Sequence, residues 1–210
     1  MARPKRQDKR RASLIAAAQR AIIKHGPDGA ILNRIAEEAN VAPQTVTYYY
    51  ADVSGLILDA VRLAMDRFYN ARVEAIEQFD GPVDQQLRLM ISLGLPATSE
   101  DPEVRLLCEM GGASARFPII AALLSTLYDR EVGIYRSVLE RGVADGPFEL
   151  QRPAEEIARN LVSLEDAYGY RLIGHHPTIS PKRAFELILG YASLSTGHPL
   201  DTGVEGPQVR

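Results

Sequence analysis

The sequence predicts an all-α protein of about nine helices, with an N-terminal three-helix head that contains a helix-turn-helix and a larger helical domain behind it. Three observations carry that prediction. Apolar residues recur at three- and four-residue spacing through nearly every segment. Pro and Gly punctuate the chain at the segment ends, and no stretch alternates convincingly between apolar and polar residues as a half-buried strand does. With 210 residues, 46% of them hydrophobic, the chain is long enough to join a small domain to a larger one.

Residues 1–8 are polar and expected to be disordered. The first helix is expected over about Lys9–Lys24, with Leu14, Ala17, Ala18, Ala21 and Ile22 on one face. His25-Gly26-Pro27 stops it, by a Gly after the last turn and a Pro beyond. Short helices over about Ile31–Ala39 and Pro43–Tyr49 complete the head. Asp52 or Ser54 is placed to cap a long fourth helix, whose stripe holds Leu56, Ala60, Ala64, Phe68, Ala71 and Ala75 before Gly81-Pro82 ends it. Further helices are expected over about Val83–Leu95 and about Asp101–Gly111, the second broken at Gly111-Gly112. Pro118 opens a long one to about Arg141, closed by Gly142 through Pro147, and Pro153 precedes another over Ala154–Ile173. Ser180 as cap and Pro181 at the first position start the last helix, to about Leu194. From Thr196 on, the chain is rich in Gly and Pro and expected to be loose.

The segment Leu32–Leu56, LNRIAEEANVAPQTVTYYYADVSGL, is the most informative. Ile35, Ala36, Ala39, Val41 and Val46 fall where two steeply crossing helices must bury a shared seam, with Ala36 small at the closest approach. Asn40 stands at the turn, where the backbone must be left-handed and Asn is tolerated next after Gly. Pro43 suits a first helical turn, where its missing N–H costs nothing. An ordinary helical hairpin inside a core is the alternative, but it does not explain why seam, turn residue and helix start agree. Such a unit places its second helix in the major groove of DNA.

Charge supports that placement. The net charge of −3 divides into +5 over residues 1–50 and −8 over the remainder. A basic head displaces counterions condensed on DNA, while an acidic body limits indiscriminate sticking. Cys108 is the only cysteine, so no intrachain disulfide is possible. There is no signal-like apolar start and no apolar run near the ~18 residues of a membrane span, so a cytoplasmic chain without a membrane partner is expected. No phosphate-binding Gly loop, zinc spacing or nucleophile–base pair is recognisable, so neither an enzyme nor a cofactor is expected. His175-His176 lacks further ligands at metal spacing and reads as a solvated helix end.

At AAAQRAIIKHG, RIAEEANV and TVTYYYADVSGL the chain resembles the tetracycline-repressor (TetR) family of bacterial transcription regulators. The stretches YDREVGIYRSVLERGVADGPF and LVSLEDAYGYRLIGHHPTISPKRA are similar to the C-terminal domain of the branch that includes the choline-responsive regulator BetI. The resemblance implies a DNA-binding domain over residues 1–53 and an effector-binding and dimerisation domain over 54–210. It also implies a homodimer on a palindromic double-stranded operator, controlled by a small-molecule effector. Repression is the first expectation and ligand-dependent activation the alternative; a helical small-molecule carrier or enzyme is the competing class. Four positions depart from the family pattern: Asn40 replaces Gly, Thr47 an aromatic, Val53 a Lys, and Ala30-Ile31 a Thr near the second helix. They shift the expected phosphate anchoring toward the basic N-terminal arm.

The expected DNA contacts follow from side-chain chemistry. Gln44 is able to pair bidentately with adenine, and Thr45 and Thr47 to meet a thymine methyl or exchange single hydrogen bonds. Tyr48 and Tyr49 offer hydroxyls to phosphates, and Lys9, Arg10, Arg11 and Arg34 offer charge. Tyr50 is expected to seal the head. Effector candidates are Phe68, Cys108, Phe117, Tyr128 and Glu165, although Cys108 equally suits a small core position. Glu165-Asp166 beside Tyr168 and Tyr170 suggests a cationic effector; the alternative is that Arg171 neutralises these acids within the chain. The resemblance implies a dimer interface on the last two helices, through Ile157, Leu161, Leu164, Tyr168, Leu187, Ile188 and Tyr191. The same stripes also suit an intramolecular core.

Overall fold

The computed structural model describes residues 3–200, with side chains from residue 7 onward. Among these residues there are nine α-helices and no strand: α1 (Arg3–His25), α2 (Leu32–Glu38), α3 (Pro43–Tyr49), α4 (Val53–Glu77), α5 (Val83–Leu93), α6 (Pro102–Ala113), α7 (Pro118–Ala144), α8 (Ala154–Ile173) and α9 (Pro181–Thr196). A single 3₁₀ turn, Ser114–Arg116, follows α6. The chain packs as two compact units, one of Met1–Arg67 with Arg105–Leu124 and one of Phe68–Val104 with Ser125–Arg210.

In the first unit the periodic residues of α1 (Leu14, Ala17, Ala18, Ala21, Ile22) are all fully buried, as are Ile35, Ala36, Val46, Leu56 and Ala60. Local chemistry sets the helix ends. Gly26 takes φ +72 and its N–H donates to Ile22, closing α1. Asn40 takes φ +50; its N–H donates to Glu37 and that of Val41 to Ala36, so α2 ends in a Schellman motif. Asp52 accepts from the Gly55 N–H at 2.7 Å and caps α4. Lys24 and Arg20 both bind the Glu38 carboxylate at 3.2 Å, and Arg20 Nη2 also donates to the Glu38 carbonyl at 2.6 Å. These cations hold Glu38 below its ordinary pKa and fasten the end of α2 to α1.

The second unit is built on Leu87, Met90 and Ile91 of α5, Val132, Tyr135, Val138 and Leu139 of α7, Ile157, Leu161 and Val162 of α8, and Ala184, Ile188 and Leu189 of α9. Ser180 accepts from the Arg183 N–H and caps α9, with Pro181 in the first turn.

Several expectations need correction. Helix α1 begins at Arg3, so residues 3–8 are helical; residues 1–2 lie outside the described residues. Helix α6 runs through Gly111-Gly112 and ends at Ala113, because two glycines weaken a helix without forbidding it. The segment after Ser195 is anchored as far as Leu200: Thr196 accepts from the Glu149 N–H, and Leu200 is buried. The rest of the expected loose tail, 201–210, lies outside the described residues. On α4 the expected stripe slips after Ala64, since Ala71 is exposed and Arg72 turns inward.

Candidate nucleic-acid interface and buried charge cluster

Helix α3 is short, headed by Pro43 and held down by one fully buried residue, Val46. Its other residues therefore face outward or sideways. Gln44 and Thr47 are exposed, Thr45 and Tyr49 are half-buried, and Tyr48 is 74% exposed. Tyr50 is buried, and its hydroxyl donates to Asp59 of α4 at 3.0 Å. The Tyr48 and Tyr49 rings meet edge to face, their centroids 5.1 Å apart. The Thr47 hydroxyl donates to the Gln44 carbonyl at 3.1 Å, which leaves its methyl and oxygen lone pairs for a partner.

The expected contact residues converge. Lys9, Arg10, Gln44, Thr45, Tyr48 and Tyr49, together with Ser13, line one open groove of about 580 Å³. Ser13 was missed in the sequence: a serine one turn beyond Lys9 on a polar face gives no signal until α1 and α3 are seen together. Two expected contacts have other company. Arg11 donates to the Tyr49 carbonyl at 3.2 Å, and Arg34 donates to the Gly29 carbonyl at 3.1 Å while remaining exposed.

In the second unit, Arg72 of α4 is 1% exposed and lies among groups from three other helices. It binds the Glu131 carboxylate of α7, both carboxylate oxygens of Glu165 of α8 at 3.2 Å, and the Met90 carbonyl of α5 at 3.2 Å. The Phe68 and Tyr135 rings flank its guanidinium at 5.8 and 5.4 Å, and the Tyr135 hydroxyl donates to Glu165. Burial pushes Glu131 up to about 7 and Glu165 up to about 8, against the pull of Arg72. Burial also opposes the Arg72 charge, but Glu165, Tyr135 and Glu131 more than offset it. Arg72 stays a cation facing two glutamates whose ionised forms burial disfavours.

This cluster corrects the reading of Glu165. Its neutralising partner is Arg72; Arg171 instead donates to the Ala167 carbonyl of its own helix. Arg72, Glu131 and Tyr135 were not singled out in the sequence. The usable signal was a charge on an apolar face, since Arg72 lies four residues after Phe68 and four before Ile76. Of the other effector candidates, Phe68 and Tyr128 are half-buried in the second unit, and Cys108 and Phe117 are half-buried in the first. The Tyr128 hydroxyl donates to the Arg159 carbonyl at 3.3 Å.

The expected dimer residues also divide. Ile157, Leu161 and Ile188 are fully buried within the single chain, so as interface residues they are corrected to the intramolecular core. The second unit needs the most apolar stripe of each helix for itself. Leu164, Tyr168 and Tyr191 pack partly buried against that core, and Leu187 is half-buried. On the outer side Asn160 donates to the Tyr191 hydroxyl at 2.8 Å, Tyr170 is 45% exposed and Leu194 78% exposed.

Residues 14–60 match the model of the bacterial regulatory proteins of the tetR family, a span that contains α2, α3 and the buried face of α1. The chain also superposes on solved regulators over most of its length. A TetR transcription regulator of Haloarcula marismortui matches with a TM-score of 0.78 at 21% identity, covering 90% of this chain and 98% of that one. The chain has the fold of a TetR-family transcriptional regulator. A protein of Saccharomonospora viridis described as a transcriptional regulator and solved with choline matches at a TM-score of 0.80 and 19% identity, over 89% of this chain and 96% of its own. The fatty acid degradation regulator FadR of Bacillus halodurans matches at 0.70 and 16% identity, over 96% and 97%. No curated protein matches in sequence. The match covers the helix-turn-helix of the head, and the matching family is one of bacterial regulatory proteins. Among the described residues, no helix is long and apolar enough to cross a membrane.

Proposed function

We propose that the chain is a homodimeric repressor that holds a palindromic operator and is released by a small-molecule effector. Residues 1–53 read the DNA, and residues 54–210 bind the effector and the second copy. The observation that carries this reading is the α1–α3 groove, where two cations, two tyrosines and the outward Gln44 share one surface. Lys9, Arg10 and Arg34 are the proposed phosphate contacts, with Tyr48 and Tyr49 beside them. Gln44, Thr45 and Thr47 are the proposed base readers. A single short helix reads too few bases alone, so pairing across a two-fold axis doubles the site.

The proposed dimer surface is the outer face of α8 and α9: Leu164, Tyr168, Leu187 and Tyr191, extended by Tyr170 and Leu194. The exposed Tyr170 of α8 and Leu194 of α9 support it. For the effector we propose an amine or quaternary ammonium compound. Glu131 and Glu165 share one guanidinium, so with both ionised the cluster is one positive charge or proton short of balance. The resemblance of the C-terminal stretches to the BetI branch, and the fold neighbour solved with choline, point the same way.

Gel shift with DNA flanking the chain's own gene, repeated at rising salt, tests the proposal. Specific binding that weakens steeply with salt is expected, and binding indifferent to both sequence and salt would overturn it. Choline should raise the melting temperature and release the DNA; stabilisation only by organic acids would remove the cation proposal. Leu194→Asp should shift the sedimenting species from dimer to monomer.

A further inference from the structure

Arg11 is next to Arg10 in sequence yet keeps different company. Arg10 and Lys9 line the groove, whereas the Arg11 Nη2 donates to the Tyr49 carbonyl at 3.2 Å. The Arg11 guanidinium also lies 5.0 Å from the centre of the Tyr50 ring. Tyr50 is itself anchored, since its hydroxyl donates to Asp59 of α4 at 3.0 Å. Burial and the Asp59 carboxylate raise this phenol to about 12, so the donor keeps its proton. One arginine, one tyrosine and one aspartate therefore join α1, the end of α3 and α4.

Helix α3 needs such a buckle. It has only two turns, too few to be stable alone, and its first turn lacks a side-chain cap. Its last carbonyls have no partner within the helix, and a cation there is favourable both as donor and against the helix dipole. Base reading from α3 depends on its angle, because a bidentate amide–adenine pair tolerates little displacement.

We infer that Arg11 is a positioning residue, which fixes the recognition helix through the Tyr49 carbonyl and the Tyr50–Asp59 pair and is not a phosphate contact. The inference rests on the DNA-reading proposal above. Loss of the buckle lets α3 tilt, which lowers discrimination between sequences more than it lowers attraction to the backbone. A phosphate contact behaves in the opposite way: its loss weakens all duplexes alike and flattens the salt dependence by about one unit of slope.

The test compares wild type with Arg11→Ala, Arg11→Lys, Tyr50→Phe and Lys9→Ala. Each is titrated with the duplex that wild type shifts and with a scrambled duplex of equal length, across a salt series well below every variant's melting temperature. For Arg11→Ala the specific-to-scrambled affinity ratio is expected to fall by about tenfold, the scale of one lost base contact, with the salt slope unchanged. Arg11→Lys should not restore the ratio, because an ammonium does not serve carbonyl and ring together, whereas a phosphate site accepts a point charge. Tyr50→Phe, which keeps the ring but frees Asp59, should show a smaller loss of the same kind. Lys9→Ala should lower the slope and leave the ratio alone. A lowered slope with an unchanged ratio in Arg11→Ala, or full rescue by Lys, overturns the inference alone. Absence of any specific shift by wild type removes the DNA-reading proposal and this inference with it.

Discussion

Arg72 and Glu165, 93 residues apart, form a forked ion pair in the interior of the second unit, with one guanidinium nitrogen 3.2 Å from both carboxylate oxygens. The pair ties α4 to α8, and Glu131 adds α7. Removing the cation leaves two buried glutamates facing each other, unpaired and only partly relieved of their charge by protonation at neutral pH. Arg72→Met is therefore expected to destabilise the protein by about 3–5 kcal/mol, measured by urea denaturation at neutral pH. The triple variant Arg72→Met/Glu131→Gln/Glu165→Gln should recover a large part of that loss, since it removes the unpaired charges as well.

Stability should depend on pH through the same cluster. Glu131 and Glu165 have ordinary values near 4.5 when unfolded and rise to about 7 and about 8 when buried. Between those values the folded chain binds more protons than the unfolded chain, so stability falls as pH rises. This contribution is fully present below pH 4.5 and is lost by about pH 8. Melting curves of wild type and Glu165→Gln from pH 5 to 9 check it: the difference between the two should change steadily from about pH 5 to about 8 and level off above, and parallel curves would contradict it.

Gly94 is required by proximity. At the end of α5 its φ of −81 suits any residue, yet a Cβ there would overlap the Glu165 carboxylate. Gly94→Ala is expected to cost about 1–3 kcal/mol, because the carboxylate is pinned by Arg72 and Tyr135 and has little freedom to withdraw. Calorimetry on Gly94→Ala and on Gly94→Ala/Glu165→Ala separates the clash from an intrinsic helix-end effect: the second Ala should relieve the part due to overlap.

Asn40 has the opposite requirement. Its φ of +50 is the left-handed cap of α2, and the adjoining Schellman bonds fix the angle at which the chain enters α3. Asn40→Ala should destabilise the head by about 1–2 kcal/mol, while Asn40→Gly should be neutral or stabilising. Thermal denaturation of both variants reports the order, and an alanine variant as stable as the glycine one would contradict it.

Gln44 and Lys9 share the groove but should respond differently. Gln44→Ala is expected to relax base preference at one position per half-site, at about 1–3 kcal/mol for the preferred base. Lys9→Ala should weaken every sequence equally. Binding to a panel of duplexes with single substitutions distinguishes the two patterns.

The head was largely legible in the sequence. Every member of the Leu14–Ile22 stripe is buried, Asn40 is left-handed, and Tyr48 projects while Tyr50 is enclosed. These features depend on residues within one or two turns of each other, where periodicity and turn chemistry speak directly. The larger domain was legible in its helices but not in their facing. The stripes of α8 and α9 suited a core and a dimer surface equally, and Ile157, Leu161 and Ile188 went to the core. Glu165 stood out as an acid in an apolar helix, yet nothing near it in sequence disclosed its partner.

The sequence alone determined the order of the helices, where most of them stop to within a turn, and that a two-turn helix with polar outward residues follows a left-handed break. Those are decisions of short range, made by backbone sterics and by apolar spacing. Tertiary structure decided which charges meet, which stripe turns inward, and that Ser13 joins Lys9 and Arg10 beside α3. A guanidinium finds a carboxylate 93 residues away only after four helices have packed, and the cost of burying charge without a partner then makes the pairing compulsory.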